Sequence, residues 1–336
     1  MEEIRTQTRD APSPGYTALS EGAALVEFPK PTILRLTGKD PVGMLAAVLT
    51  NEIPPGERIG VYAALLNPKG RVQTDLRVSK NGDEIFVDTG PEGAEAAKGI
   101  LGRYAPFSRV KMEDLSSGDD AWGILGLYGP RAGELLGNLD LAEQEGIRTD
   151  IGGASVLLAG VAKPVGGYDL IGSTDDLDTV REFLIGGGAT LANQEDYETA
   201  RISTGIPRFG VDITPDNFPG ESDNFLQRTV SFGKGCYPGQ ETVARMHYRG
   251  NPNKKLYRFE LEPSAMEPLE AGDEILQGEK KLADPVSSVD VVGWITSVAP
   301  LPVNGKAYAL GYLTRKADLE APMRAEDAKV LAVAPA

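Results

Sequence analysis

Between residues 60 and 89 the chain reads GVYAALLNPKGRVQTDLRVSKNGDEIFVDT, three apolar runs parted by NPKG and KNGD. Turn residues of this kind reverse the backbone sharply, so the stretch is an antiparallel meander. The same punctuation recurs throughout: 40 glycines and 24 prolines among 336 residues cut the chain into short segments. That spacing favours many short strands and excludes a long helical bundle. Apolar residues make up 41% and charged residues 25%, an ordinary globular composition at a length that suits two or three domains.

The polar, proline-bearing residues 1–21 read as a disordered tail. AALVEF and TILRLTG follow as strands. KDPVGMLAAVLTNEI then carries Met44, Leu45, Val48 and Leu49 at helical spacing, with Asp40 as cap and Pro41 in the first turn. The meander, a glycine-broken helix in PEGAEAAKGILGRYA and a strand in SRVKMEDLS complete a first unit. A second unit has the same order: WGILGLYG (strand), PRAGELLGNL (helix), ASVLLAGVA and GYDLIGS (strands), and TDDLDTVREFLIGGG (helix, with a capping threonine). YETARISTGIPRFGVDI reads as a helix entering a turn. From 255 onward short alternating segments show no helix and predict a small β-barrel.

Several engines are absent. No GxxxxGK[ST] loop, GxGxxG turn or HExxH pair occurs. One cysteine excludes an intramolecular disulfide and an all-cysteine metal or cluster site within one chain. No run of 18 apolar residues occurs and the amino terminus has no apolar core, so the chain is read as cytoplasmic, with no membrane partner. A net charge of −15 argues against a broad nucleic-acid footprint.

That charge reverses in one place. From Phe225 to Glu260 seven basic residues face two acidic ones, +5 in 36 residues against −20 elsewhere. The segment reads either as an attractor of anions or as a basic surface that pairs with acidic neighbours. It holds the only cysteine and the only histidine, in GKGCYPGQETVARMHYRG. Gly235 frees the backbone before Cys236, and Pro238-Gly239 turns the chain after it. A cation beside a thiol favours its thiolate, so Cys236 next to Lys234 is a candidate functional thiol. A Cys236–His247 dyad has little around it to support a thiol hydrolase. Asp75, in a strand between Thr74 and Leu76, either meets an amine-bearing ligand or faces solvent.

The run Lys234-Gly235-Cys236-Tyr237-Pro238-Gly239-Gln240-Glu241, followed by Arg245, resembles the signature K-G-C-[aromatic]-x-G-Q-E-x-x-x-R of YgfZ-type folate-binding proteins. Those proteins are relatives of the glycine-cleavage T-protein, an aminomethyltransferase. LTGKDPVGMLAAVLTNEI, LLNPKGRVQTDLRV, LYGPRAGELL, ARISTGIPRFGVDI and GWITSVAP…ALGYLTRK resemble further T-protein segments, so the likeness spans about residues 22 to 315. Where T-protein enzymes carry adjacent aspartates, this chain has Thr74-Asp75, which weighs against aminomethyl transfer.

The resemblance implies an α+β, T-protein-like fold of two α+β units and a C-terminal β-barrel around a central opening. The units fall at about 22–115 plus 196–250 and at 116–195, with the barrel at 251–336. It implies a tetrahydrofolate-binding factor for iron–sulfur cluster assembly or repair, and indirectly for tRNA modification, rather than a conventional turnover enzyme. The alternative is a folate-dependent one-carbon transferase. Cys236 would be the acting thiol with Lys234 as its modulator, and no metal site is implied. Asp75, Arg201, Gly235, Tyr237, Gln240, Glu241 and Arg245 would contact the folate, with the basic segment drawing in its carboxylates. Partners would be iron–sulfur proteins or the machinery that builds their clusters, with no direct nucleic acid.

Overall fold

The computed structural model describes residues 12–336 apart from 57, 119, 140, 144, 163, 251, 264–267 and 279–289. The first unit runs α1 (Pro14–Glu21), β1 (Ala24–Glu27), β2 (Thr32–Gly38), α2 (Pro41–Val48), β3 (Gly60–Leu66), β4 (Val72–Asn81), β5 (Glu84–Thr89), α3 (Ala94–Tyr104) and β6 (Val110–Asp114). The second runs β7 (Trp122–Tyr128), α4 (Ala132–Leu135), β8 (Gly146–Ile151), β9 (Ala154–Val161), β10 (Gly167–Ser173), α5 (Thr174–Gly186) and β11 (Thr190–Ala192). Then come α6 (Gln194–Ser203), α7 (Asp223–Thr229) and α8 (Gln240–Arg249). The last part is β12 (Lys254–Leu261), β13 (Glu274–Gln277), β14 (Asp290–Val298), β15 (Ala307–Thr314), β16 (Met323–Ala325) and β17 (Ala328–Pro335).

These strands form a five-stranded sheet β3-β4-β5-β2-β6, a six-stranded sheet β11-β1-β7-β10-β9-β8, and a closed barrel β12-β15-β14-β13-β16-β17. The meander, the helix at Pro41 with its Asp40 cap, and the barrel stand as the sequence predicts. Sheet membership cuts across the sequence division, however: β1 pairs with β7 and β11 and so belongs to the second sheet.

Four details differ from the sequence reading. Residues 14–21 form α1 instead of a loose tail, because Ser13 caps the helix and Gly15, Ala18 and Leu19 bury against the body; residues 1–11 lie outside the described residues. The cap of α5 is Ser173 rather than threonine, its hydroxyl accepting from the Asp176 amide. Helix α4 covers only four residues. Strand β8 and helices α7 and α8 have no counterpart in the sequence reading.

Strand alternation decides what each sheet shows to the other. On β4, Leu76 and Val78 enter the core shared with α2 and α3, so Asp75 and Arg77 face the opposite way. On β10, Tyr168 and Leu170 pack under α5, which sends Asp169 and Ile171 inward. The two inner faces touch through Ile33, Phe86, Leu157 and Ile171, and beside that apolar contact they part to leave a cavity.

Candidate functional site

The cavity measures about 320 Å³ and lies between the sheets, roofed by α6 and the turn at Ile206–Phe209. One wall is polar: Tyr62 from β3, Asp75 and Arg77 from β4, and Asp88 from β5. The facing wall is largely apolar, with Ile124, Tyr128 and Val161. Phe28, Tyr128 and Tyr197 form an aromatic corner, Tyr197 stacking on Tyr128 at 5.8 Å and meeting Phe28 edge-on at 5.1 Å.

Arg77 joins the sheets at the cavity wall. It stands opposite Asp88 in the β4–β5 register and grips both carboxylate oxygens, at 3.0 and 3.1 Å. Its remaining terminal nitrogen donates to Asp169 of the other sheet, which also accepts from the Tyr128 hydroxyl. Burial pushes the Asp88 carboxyl up, opposed by the guanidinium beside it. Asp75 accepts from the Tyr62 hydroxyl. Burial likewise holds the Asp75 carboxyl above the usual carboxylate range, and the residue lines the cavity. Arg228, from α7, lies 4.8 Å over the Tyr62 ring and 3.4 Å from Glu143.

Helix α6 is set by its own sequence. Asn193 and Asp196 form a reciprocal capping box, and Ser13 of the α1 cap donates to Asp196. The helix then presents Tyr197, Glu198 and Arg201 to the cavity. Arg201 donates to both oxygens of Glu198 at 3.0 and 2.8 Å, to the Ile206 carbonyl and to Asp212 at 2.7 Å, and to Ser297 at 3.1 Å. A guanidinium has five N–H donors, and all are committed. Arg201 therefore aims Glu198 and ties α6 to the barrel, and it has no donor left for a folate.

The cysteine motif lies elsewhere. Lys234 donates to the carbonyls of Ala46 at 2.8 Å and of Leu49, at the end of α2; burial pulls its ammonium down. The lysine thus anchors the loop on α2. Tyr237 is buried among Leu66, Val72, Phe209 and Val243, and burial pushes its hydroxyl up to about 12. Gly239 begins α8 with φ +82°, and a Cβ there would stand 2.6 Å from the Gly70 Cα and 2.7 Å from the Asn67 carbonyl. The motif is therefore clamped on the NPKG turn. Gly235, Cys236, Glu241 and Arg245 are exposed and Gln240 is half-buried.

Of the residues expected to contact a folate, the structure brings only Asp75 and Arg201 to the cavity; Gly235, Tyr237, Gln240, Glu241 and Arg245 are not among its lining. The basic segment also disperses. Lys255 pairs with Asp223 at 3.0 Å, Arg258 donates to the Ser203 carbonyl at 2.9 Å, and Lys254 lies over Tyr312 at 4.5 Å; only Arg228 of the seven reaches the cavity. The cavity itself carries six carboxylates against four guanidiniums. Sequence reasoning missed Tyr62, Arg77, Asp88, Asp169, Tyr197 and Glu198. Two signals were present: charges at i and i+2 in Asp75-Leu76-Arg77, and the i, i+3 pair Glu198–Arg201.

Comparison with known proteins first defines the class. The model described as the GCVT N-terminal domain matches residues 6–234; the chain belongs to that family. The fold agrees with the crystal structure of glycine cleavage system aminomethyltransferase T from Bartonella henselae, at a TM-score of 0.74 and 19% identity over 94% of this chain and 86% of that one.

The nearer resemblance is to cluster and tRNA factors. The chain is 30% identical over 244 residues to the human mitochondrial iron–sulfur cluster assembly factor IBA57, covering 67% of this chain and 63% of that protein. It is 27% identical over 241 residues to the tRNA-modifying protein YgfZ of Enterobacter sp. (strain 638), covering 71% and 72%. Among the described residues no helix is long and apolar enough to cross a membrane.

Proposed function

We propose that this chain is a cytoplasmic tetrahydrofolate-binding factor that supports iron–sulfur cluster assembly or repair, and through it tRNA modification, by means of the Cys236 thiol. The observation that carries the reading is the separation of two sites. A walled cavity with a polar face and an aromatic face lies inside the protein, and an exposed thiol stands on a clamped loop outside it.

The cavity residues fit a folate head. A reduced pteridine is a flat heterocycle with a donor-rich edge; Phe28 and Tyr197 offer it aromatic surface, while Asp75 and Glu198 offer acceptors. Because carboxylates outnumber guanidiniums there, the anionic glutamate tail points away from the cavity. When bound, the folate would carry a one-carbon unit or reducing equivalents. Tyr62 orients Asp75, Arg201 orients Glu198, and Arg77 holds the sheets at the spacing that a planar ligand needs. At the second site a single thiolate supplies only one ligand to a cluster, so the rest come from a donor or recipient protein.

Anaerobic calorimetry with tetrahydrofolate tests the cavity, and the activity of cluster-dependent enzymes in cells tests the thiol. Wild type and Cys236→Ser should bind folate equally, Asp75→Ala should bind it more weakly, and Cys236→Ser should fail in cells. Absence of binding by wild type would sink the cofactor claim. Aminomethyl transfer by the purified protein, lost in Asp75→Ala and kept in Cys236→Ser, would establish the transferase reading instead.

A further inference from the structure

Helix α2 reads PVGMLAAV and carries no polar side chain. A helix apolar on every side is ordinarily covered on every side. Here Met44, Leu45 and Val48 enter the core, yet Val42, Gly43, Ala46 and Ala47 are exposed. The bare face is small and even, which lets another backbone approach closely.

Each end of this helix carries a further feature. The amino-terminal end adjoins the corner between α3 and β6, since Lys39 donates its amide to the Arg109 carbonyl at 3.1 Å. At that corner Phe107 is 89% exposed. The corner is not a loose loop: Phe107 donates to the Tyr104 carbonyl at 3.1 Å, and Val110 donates to that of Ala105 at 2.9 Å. The aromatic ring is thus held outward by a closed turn. Lys39, Arg103 and Arg109 belong to the segments that meet at this corner, exposed and with no ion pair among the described residues, against one exposed carboxylate, Asp40, which caps the helix. The carboxyl-terminal end of α2 receives the Lys234 ammonium, two residues before Cys236. Eight helical residues span about 12 Å, so one partner of ordinary size covers both ends at once.

We propose that the exposed face of α2, from Phe107 to Cys236, is a docking surface for a partner protein that presents an apolar patch rimmed by carboxylates. The charge argues for that occupant. In a chain of net −15, three exposed cations without ion pairs on the segments that carry an outward aromatic side chain attract an acidic surface and set its register. The preordered corner limits the entropy lost on docking, and Phe107 is the anchor. Seated there, the partner brings its own ligand atoms to the thiol. This inference rests on the proposed role of Cys236 and adds where the donor or recipient protein sits.

The test places a benzophenone amino acid in place of Ala47 in the full chain, irradiates cells, and maps the adduct by mass spectrometry. The expected adduct joins a different protein at a segment mixing apolar residues with Asp or Glu, and its yield falls about tenfold or more in Phe107→Ala and in the double variant Arg103→Glu/Arg109→Glu. Adducts only with lipid, only with a second copy of this chain, or with a partner lacking acidic residues at the contact would overturn the proposal, as would no adduct. A parallel arm separates the two readings. If Cys236→Ser abolishes cluster-dependent activity in cells while Phe107→Ala and Ala47→Glu leave it intact, the docking surface fails and the thiol stands. If Cys236→Ser is also silent, the thiol reading itself has failed.

Discussion

The cavity and the cysteine loop are built on opposite plans. In the cavity nearly every charged group already has a partner: Arg77 has Asp88 and Asp169, Arg201 has Glu198 and Asp212, and Asp75 has the neutral Tyr62 hydroxyl. In the loop the chain clamps its flanks, through Lys234 on α2 and Gly239 on the NPKG turn, and leaves the thiol between them exposed. A pre-paired polar wall suits a ligand that enters and leaves unchanged in charge, since no buried ion is orphaned when the site empties. A clamped but open thiol suits contact with another macromolecule. The cavity lining leaves out Cys236 and its motif neighbours, although Tyr237 shares a core with the cavity residue Phe209; on the proposed function, folate binding and thiol chemistry are therefore open to separate disruption.

The largest loss is expected from Arg77→Met. It orphans the buried carboxylates of Asp88 and Asp169, and chemical denaturation should register a loss of about 3–5 kcal/mol. A loss below about 1 kcal/mol would mean that the network does not hold the sheets together. Gly239→Ala comes next. The left-handed φ and the crowding by Gly70 and Asn67 should cost about 1–3 kcal/mol. Folate binding should survive in the protein that remains folded, because the strain falls on the loop.

Asp75→Asn sharpens the contrast through pH. Burial raises the folded-state carboxyl above its unfolded value, so the native protein binds this proton at higher pH than the unfolded chain does. Stability therefore falls as pH rises from the ordinary carboxylate range through the raised value. The asparagine should flatten that slope in denaturation curves across the acidic range and weaken folate binding about tenfold, near 1.4 kcal/mol; an unchanged slope would place the titration on another group. The smallest effect belongs to Cys236→Ser, which should alter stability by no more than about 0.5 kcal/mol and leave calorimetric folate binding as in wild type. A large loss of either would show that the two sites are coupled after all.

Much of this was legible in the chain itself, for local reasons. Turn chemistry at Asn67–Gly70 and Lys80–Asp83 sets the meander, Asp40 and Pro41 start α2, and alternation after 255 marks the barrel. The cysteine motif stood out because rare residue types gathered in one place. Helix α8 was hidden because its positive-φ start at Gly239 and polar body resemble a loop, and β8 because its burial alternates only weakly.

Each segment's periodicity and its caps follow from the chain alone, since these depend on neighbours within a few residues. Which charges meet is settled by long-range packing. Arg77 and Asp169 are 92 positions apart and come together because two strands turn the same alternate face toward each other. Arg201 looked free to bind a ligand until the barrel supplied Ser297, and the turn after α6 supplied Asp212, to take its donors. Lys234 looked like the thiol's companion until α2 offered it two carbonyls. Hydrogen-bond donors are finite and are claimed by whatever folding brings near, and that competition is not written in local sequence.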